Sequence, residues 1–119
     1  MSQPEMEVDS NGTKRWHLNG KLHREDGPAI EYASGTKEWF LNGKRHREGG
    51  PTIEWADGSK WWYLNGKRHR EDGPAIEYPN GSKHWLLNGE DVTWKEVFRQ
   101  ANGDLEKECR ILTYALANG

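Results

Sequence analysis

Trp62-Tyr63-Leu64-Asn65-Gly66-Lys67-Arg68-His69-Arg70-Glu71-Asp72-Gly73-Pro74-Ala75-Ile76-Glu77-Tyr78 decides the fold of this chain. Trp61 to Leu64 is aromatic and suits a strand. Asn65-Gly66 follows, and Asn-Gly favours a two-residue hairpin turn because both positions take φ > 0. Lys67 to Arg70 returns as a second strand. Pro74 interrupts it, since proline cannot donate to a ladder. Ala75 to Tyr78 alternates apolar and polar and reads as a short third strand.

The same sentence recurs along the chain. Gly12, Gly35, Gly58 and Gly81 fall 23 residues apart, as do Trp16, Trp39, Trp62 and Trp85, and His23, His46 and His69. A strict period of this length specifies stacked supersecondary units. We number the units 11–33, 34–56 and 57–79, with a half unit at 80–89. The predicted fold is mainly β: an antiparallel β-meander of stacked 23-residue hairpin repeats with a two-helix C-terminal cap. Residues 1–10 read as a disordered acidic arm, 11–89 as the repeat array and 90–119 as the helical cap.

In the array, Trp16/Leu18, Trp39/Leu41, Trp62/Leu64 and Trp85/Leu87 share one strand face. Ile30/Tyr32, Ile53/Trp55 and Ile76/Tyr78 are expected to match them in a common core stripe. The other face carries Arg15/His17, Glu38/Phe40, Trp61/Tyr63 and His84/Leu86, where the units disagree. The fold does not dictate these residues. An aromatic cluster of Phe40, Trp61 and Tyr63 beside arginines has the composition of a binding hot spot. The alternative is that the C-terminal segment folds over this face and buries it.

After Gly89 the pattern changes. Thr93 and Glu96 form a capping-box pair, Trp94, Val97, Phe98 and Ala101 follow at helical spacing, and Asn102-Gly103 ends the helix. Asp104 is expected to cap a second helix with Leu105, Cys109, Leu112 and Leu116 on its apolar stripe. Both helices need a docking surface, and Trp85 and Leu87 are nearest. The first unit is expected to present an unprotected edge, favouring homo-oligomer formation or partner docking.

Composition bounds the function. The 119 residues include seven Trp but are only 33% hydrophobic, which suits a thin array with large aromatics on one face. A single cysteine, Cys109, excludes an intrachain disulfide and fits a reducing cytoplasm. No apolar stretch approaches the ~20 residues of a membrane span. The N-terminal MSQPEMEVDS lacks the apolar segment of a signal peptide. Residues 11–89 carry 13 Lys/Arg against 10 Asp/Glu, too mild an excess to define a nucleic-acid binder or a lipid-surface protein.

The His-Arg-Glu-Asp runs at 23–26 and 69–72, with His46-Arg47-Glu48-Gly49 between them, contain the pieces of acid–base catalysis. A reaction centre needs one asymmetric site, however, and this motif is repeated at a turn. We read it as structural, with its acids bonding backbone N–H groups and its arginines pairing with acids of neighbouring units. Histidines about 9–10 Å apart cannot share one ion, so neither metal nor cofactor is expected. Arg24, Arg47 and Arg70, with Lys44, Arg45, Lys67 and Arg68, form a candidate basic ridge. Arginine beside aromatics can hold phosphates and stack bases.

The run Trp-x-Leu-Asn-Gly-Lys-x-His-Arg-Glu-Asp-Gly-Pro, with its 23-residue period, resembles a variant MORN repeat over residues 11–89. It departs from the usual pattern at Arg24, Arg47 and Arg70, where MORN units carry Gly after the His, and in its Glu-Asp-Gly-Pro extension. The variant form is similar to small proteins of bacteriophages and bacteria. The resemblance implies a scaffold that binds proteins or lipids and supplies no catalytic residue. The expectation is a non-enzymatic, cytoplasmic, phage-encoded protein that binds and inhibits a bacterial host protein of an antiviral defence system. Its partner-binding residues would be Phe40, Trp61, Tyr63, Arg45, Arg47, Arg68 and Arg70. The alternatives are a nucleotide-signal-sequestering protein using Trp61, Tyr63 and the Arg ridge, and a structural homo-oligomeric scaffold.

Overall fold

The computed structural model of the chain describes residues 3–118. It is an antiparallel meander of hairpin repeats closed by two helices. In chain order the strands are β1 (Glu5–Val8), β2 (Lys14–Leu18), β3 (Lys21–Leu22), β4 (Ile30–Glu31), β5 (Lys37–Glu38), β6 (Phe40–Leu41), β7 (Lys44–Arg45) and β8 (Ile53–Glu54). They continue as β9 (Lys60–Trp61), β10 (Tyr63–Leu64), β11 (Lys67–Arg68), β12 (Ile76–Glu77), β13 (Lys83–Leu87) and β14 (Glu90–Val92). The helices are α1 (Trp94–Ala101) and α2 (Leu105–Asn118).

Each unit branches. The first half of its long strand joins a continuous ladder, β1-β2-β4-β5-β8-β9-β12-β13-β14. The second half forms its own hairpin through an Asn-Gly turn. Asn19, Asn42, Asn65 and Asn88 sit at φ 53, 51, 52 and 52, each followed by a glycine near φ 80, as a type I′ turn requires.

The register sorts the side chains differently from the sequence expectation. Ile30 pairs with Arg15 and Glu38, Ile53 with Glu38 and Trp61, and Ile76 with Trp61 and His84. The isoleucines therefore share a face with the variable residues, not with the Trp–Leu stripe. Their side chains are buried there, at 2–6% exposure. A slip of one residue exchanges the faces of a strand, and a two-residue strand carries too little alternation to fix that choice. On the opposite face the neighbouring row alternates in charge: Lys14, Glu31, Lys37, Glu54, Lys60, Glu77, Lys83. Opposite charges directly across strands favour this register.

The arginine of each turn locks its own unit. Arg24, Arg47 and Arg70 lie 3.9, 3.7 and 3.9 Å above the rings of Trp16, Trp39 and Trp62. Their Nη1 groups donate to Glu31, Glu54 and Glu77 at 3.1, 2.6 and 3.1 Å, and to the carbonyls of Pro28, Pro51 and Pro74. Arg24 and Arg70 also donate from Nε to Asp26 and Asp72. Gly27, Gly50 and Gly73 leave room for the guanidinium, since a Cβ there would lie 2.7–2.9 Å from Cζ. These pairs run within a unit, correcting the expected pairing between neighbours. The turn aspartates bond the arginine.

The histidines join successive hairpins. His23 Nδ1 accepts the Asn42 backbone N–H at 2.9 Å, and Gly43 and Arg24 add backbone bonds to Leu22 and Phe40. His69 does the same for Asn88, with Gly89 bonded to Arg68 and Arg70 to Leu86. Among the described residues none of these three bonds has a counterpart between the second and third hairpins. There Thr52 replaces the alanine of the other units, and its Oγ1 accepts the Tyr63 N–H at 3.0 Å. His46 is left 40% exposed, against 8% for His23 and His69.

Two terminal expectations need correction. Residues 5–8 of the proposed disordered arm form β1 and cover the edge of the first unit, so the sheet ends in β1 and not in the first unit. Residues 1–2 lie outside the described residues. Acids in and just after β1 explain the pairing: Glu7 faces Arg15, Glu5 faces His17, and Asp9 pairs with Arg15 at 2.7 Å. In the cap, Thr93 accepts the Glu96 N–H and Asn102 takes the left-handed conformation that ends α1. The inward residues of α2, however, are Ile111 and Ala115, while Leu105 and Leu116 stay 73% and 80% exposed. Val97, Ala101 and Ile111 pack with Trp85, Leu87, Trp94 and Phe98. The helices thus cover the Trp–Leu face of the last unit and leave the Phe40–Trp61–Tyr63 face uncovered.

Salt bridges Lys107–Glu71 (2.8 Å) and Arg110–Asp72 (3.0 Å) pin α2 to the third unit. Hydrogen bonds from Lys107 and His69 hold the Glu71 carboxyl below its ordinary range. Burial pushes Asp72 up, but Arg70 and Arg110 outweigh it and leave the group lowered. A depressed folded-state pKa gives stability that is present above the unfolded value and lost as pH falls through the folded one. We expect α2 to loosen below about pH 4, where unfolded-state carboxyls protonate. A fluorescence titration of the tryptophans beside the cap checks this; a signal flat down to pH 2 contradicts it.

Candidate functional site

Phe40, Trp61, Tyr63, Arg45 and Arg68 come together on the variable face. The period explains why: Phe40 and Tyr63, and Arg45 and Arg68, hold equivalent positions in consecutive hairpins. Arg45 stands 5.6 Å from the Phe40 ring and 5.2 Å from the Tyr63 ring, bridging the second and third hairpins. Its Nε donates to Glu38 Oε1 at 3.1 Å. Glu38 is only 9% exposed and also accepts the Tyr32 hydroxyl at 2.5 Å. Burial and the Glu38 bond push the Tyr32 phenol up to about 12. The guanidinium is therefore held in place by an acid rooted in the sheet.

Trp61 forms the centre of the patch. Its ring meets Trp55 edge-on at 5.2 Å, lies 6.5 Å from Tyr63, and has Arg68 at 5.5 Å. Its indole N–H is buried without an acceptor among the described residues. Such a group costs about 1–3 kcal/mol. The fold thus gains less from Trp61 than its size suggests. Trp55, 38% exposed, also belongs here, although the alternation had placed it in the core stripe. The signal that marks it is its break with the repeat, where the other units carry Tyr32 and Tyr78.

Arg47 and Arg70 do not join this group. They lie on the opposite face, committed to Trp39 and Trp62 and to Glu54 and Glu77. The basic ridge is therefore split between two faces. Leu86, at the variable end of the row, is buried with Ala75 and Ile76 under Trp61 and Tyr78.

On the Arg–Trp face two hollows separate successive units. One, of about 580 Å³, lies between the first and second units and is lined by Arg24, Glu25, Asp26, Trp39, Leu41 and Glu48 among others. A second, of about 640 Å³, lies between the turn of the second unit and α2. Among the described residues no group of three or more His, Cys, Asp or Glu side chains is placed to hold a metal ion, and no helix is long and apolar enough to cross a membrane. The chain matches no known family model, no curated protein and no solved structure.

Proposed function

We propose that this chain is a non-enzymatic, MORN-like binding protein that recognises a partner protein through the Phe40–Arg45–Tyr63–Trp61–Arg68 face. The carrying observation is a cluster of aromatics and arginines, left open by the cap, at positions where the repeat imposes no residue. Aromatic side chains and arginine dominate binding energetics when such a surface is desolvated. Arg45 is already immobilised by Glu38, which lowers the entropic cost of using it. The likeness of the repeat to phage and bacterial proteins leads us to place the partner in a bacterial host cell, as a component of antiviral defence that this protein inhibits.

The test is an affinity capture from bacterial lysate that compares the native chain with a Trp61→Ala/Tyr63→Ala double variant. Trp61 packs on the Ala75–Ile76–Leu86 cluster, so circular dichroism must first show that the variant is folded at the temperature of the capture. A host protein retained by the native chain and lost at least tenfold from the folded variant supports the reading; equal retention by both removes this face from the interaction. The retained protein, once purified, must lose activity on addition of the native chain for inhibition to stand.

A further inference from the structure

The third unit shows what its turn can hold. Along α2, Lys107, Arg110 and Tyr114 follow at i, i+3 and i+7 and share one side of the helix. Lys107 Nζ reaches Glu71 at 2.8 Å, and Arg110 Nη1 reaches Asp72 at 3.0 Å. Arg70 donates to the Tyr114 hydroxyl at 3.3 Å and lies 5.1 Å from its ring. The stripe Lys-x-x-Arg-x-x-x-Tyr thus reads the sequence Arg-Glu-Asp of one turn.

The first unit repeats that turn as Arg24-Glu25-Asp26, with the same internal geometry. The Nε–Asp distances are 3.0 Å in the first unit and 2.9 Å in the third. The arginine-to-Glu distances are 3.1 and 3.1 Å. Each guanidinium stands 3.9 Å above its Trp. The covering differs, and so does the histidine contact, His69 lying 3.1 Å from Glu71 and His23 3.5 Å from Glu25. Glu71 and Asp72 are 49% and 28% exposed beneath α2, whereas Glu25 and Asp26 are 82% and 89% exposed. The hollow beside them is walled by Trp39 and Leu41, the equivalents of the Trp85 and Leu87 that pack under the helices. Glu48 adds a further acid.

We infer that the hollow between the first and second units is a docking site for a helix of a partner protein that carries the basic–aromatic stripe Lys-x-x-Arg-x-x-x-Tyr. The partner is another protein, because the matching stripe of each copy of this chain is engaged on its own third unit. The second unit offers a poorer copy of the site, since Gly49 stands where an aspartate would receive the arginine. The apolar wall also differs from that of the last unit. Arg47 lies over Trp39, whereas Thr93 occupies the corresponding place beside Trp85. Charge therefore contributes more to docking in this hollow than it does beneath the cap, and binding weakens with salt. The site lies on the face opposite Trp61 and Tyr63, so it does not rest on the role of that patch.

The experiment uses the full chain and a synthetic peptide with the sequence of residues 104–118, held helical by a staple across its outward positions 109 and 113. Fluorescence anisotropy is expected to show saturable one-to-one binding, weakened at least tenfold by Glu25→Lys/Asp26→Lys. A peptide carrying Lys107→Glu/Arg110→Glu is expected to fail on the native chain and to bind the reversed variant. That exchange uses unaltered protein in one arm, so a folding defect cannot mimic it. Absence of saturable binding overturns the inference. Equal binding to native and reversed chains also overturns it, because the peptide would then be displacing α2 from the third unit.

Discussion

Replacing Arg70 by alanine is expected to cost about 3 kcal/mol, near the lower limit for removing one partner of a buried ion pair. Its guanidinium, 11% exposed, bonds Asp72, Glu77 and the Pro74 carbonyl, stacks on Trp62 and donates to Tyr114. The substitution leaves the partly buried Glu77 carboxylate without its arginine and Asp72 with Arg110 alone, and releases one of the contacts of α2. Lysine cannot replace it, because a single ammonium lacks the fork that reaches two acids and a carbonyl together. Arg47→Ala is expected to cost only about 1 kcal/mol, since that arginine has no aspartate partner and its Glu54 is 37% exposed. Thermal denaturation should rank the variants with Arg70→Ala melting about 10 °C below the native chain and Arg47→Ala a few degrees below. Equal losses at both sites would show that the turn aspartate and the cap contact contribute nothing.

Leu86→Ala is the other large effect, expected at about 3 kcal/mol from lost transfer free energy and the remaining cavity. Leu86 is 2% exposed and packs with Ala75 and Ile76, with Trp61 and Tyr78 against the cluster. Two aromatic rings cannot slide into the space of three lost carbons without leaving the sheet surface. Leu116→Ala, at 80% exposure on α2, serves as the control and is expected to change stability by less than about 0.5 kcal/mol. Urea denaturation of the pair checks both values. A Leu86→Ala loss below 1 kcal/mol would mean that the array collapses around the site more freely than its backbone suggests.

Much of this architecture was legible because it is local and periodic. Asn-Gly at 19–20, 42–43, 65–66 and 88–89 specifies its turn from two residues. Thr93 and Asn102 bound α1 from the cap chemistry alone. The period also brought Phe40 and Tyr63, and Arg45 and Arg68, to adjacent places. What escaped depends on pairing between segments. The faces of Ile30, Ile53 and Ile76 follow from register, which two-residue strands do not encode by themselves. β1 is recruited by charges on β2, a partner that a scan for apolar alternation passes over. On α2 two stripes compete, and the more apolar one, through Leu105 and Leu116, faces outward. The inward one carries Lys107, Arg110 and Tyr114, which complement a turn more than 30 residues away. Arg47 and Arg70 looked available because their partners Glu54 and Glu77 sit seven residues on, outside the motif that drew attention to them.

The exchange of alanine for Thr52 reaches beyond one hydrogen bond. In a linear array, cooperativity is set by the coupling between neighbours, and the weakest coupling sets where the array can divide. The first and second hairpins are tied by His23, and the third and fourth by His69, while the centre, among the described residues, has the ladder through β5, β8 and β9, the Thr52–Tyr63 bond and the Arg45 contacts. The histidine bonds thus group the hairpins in two pairs on a continuous spine. Arg45 spans the central joint from Phe40 to Tyr63, so a partner bound as proposed at this patch would touch both pairs of hairpins at once.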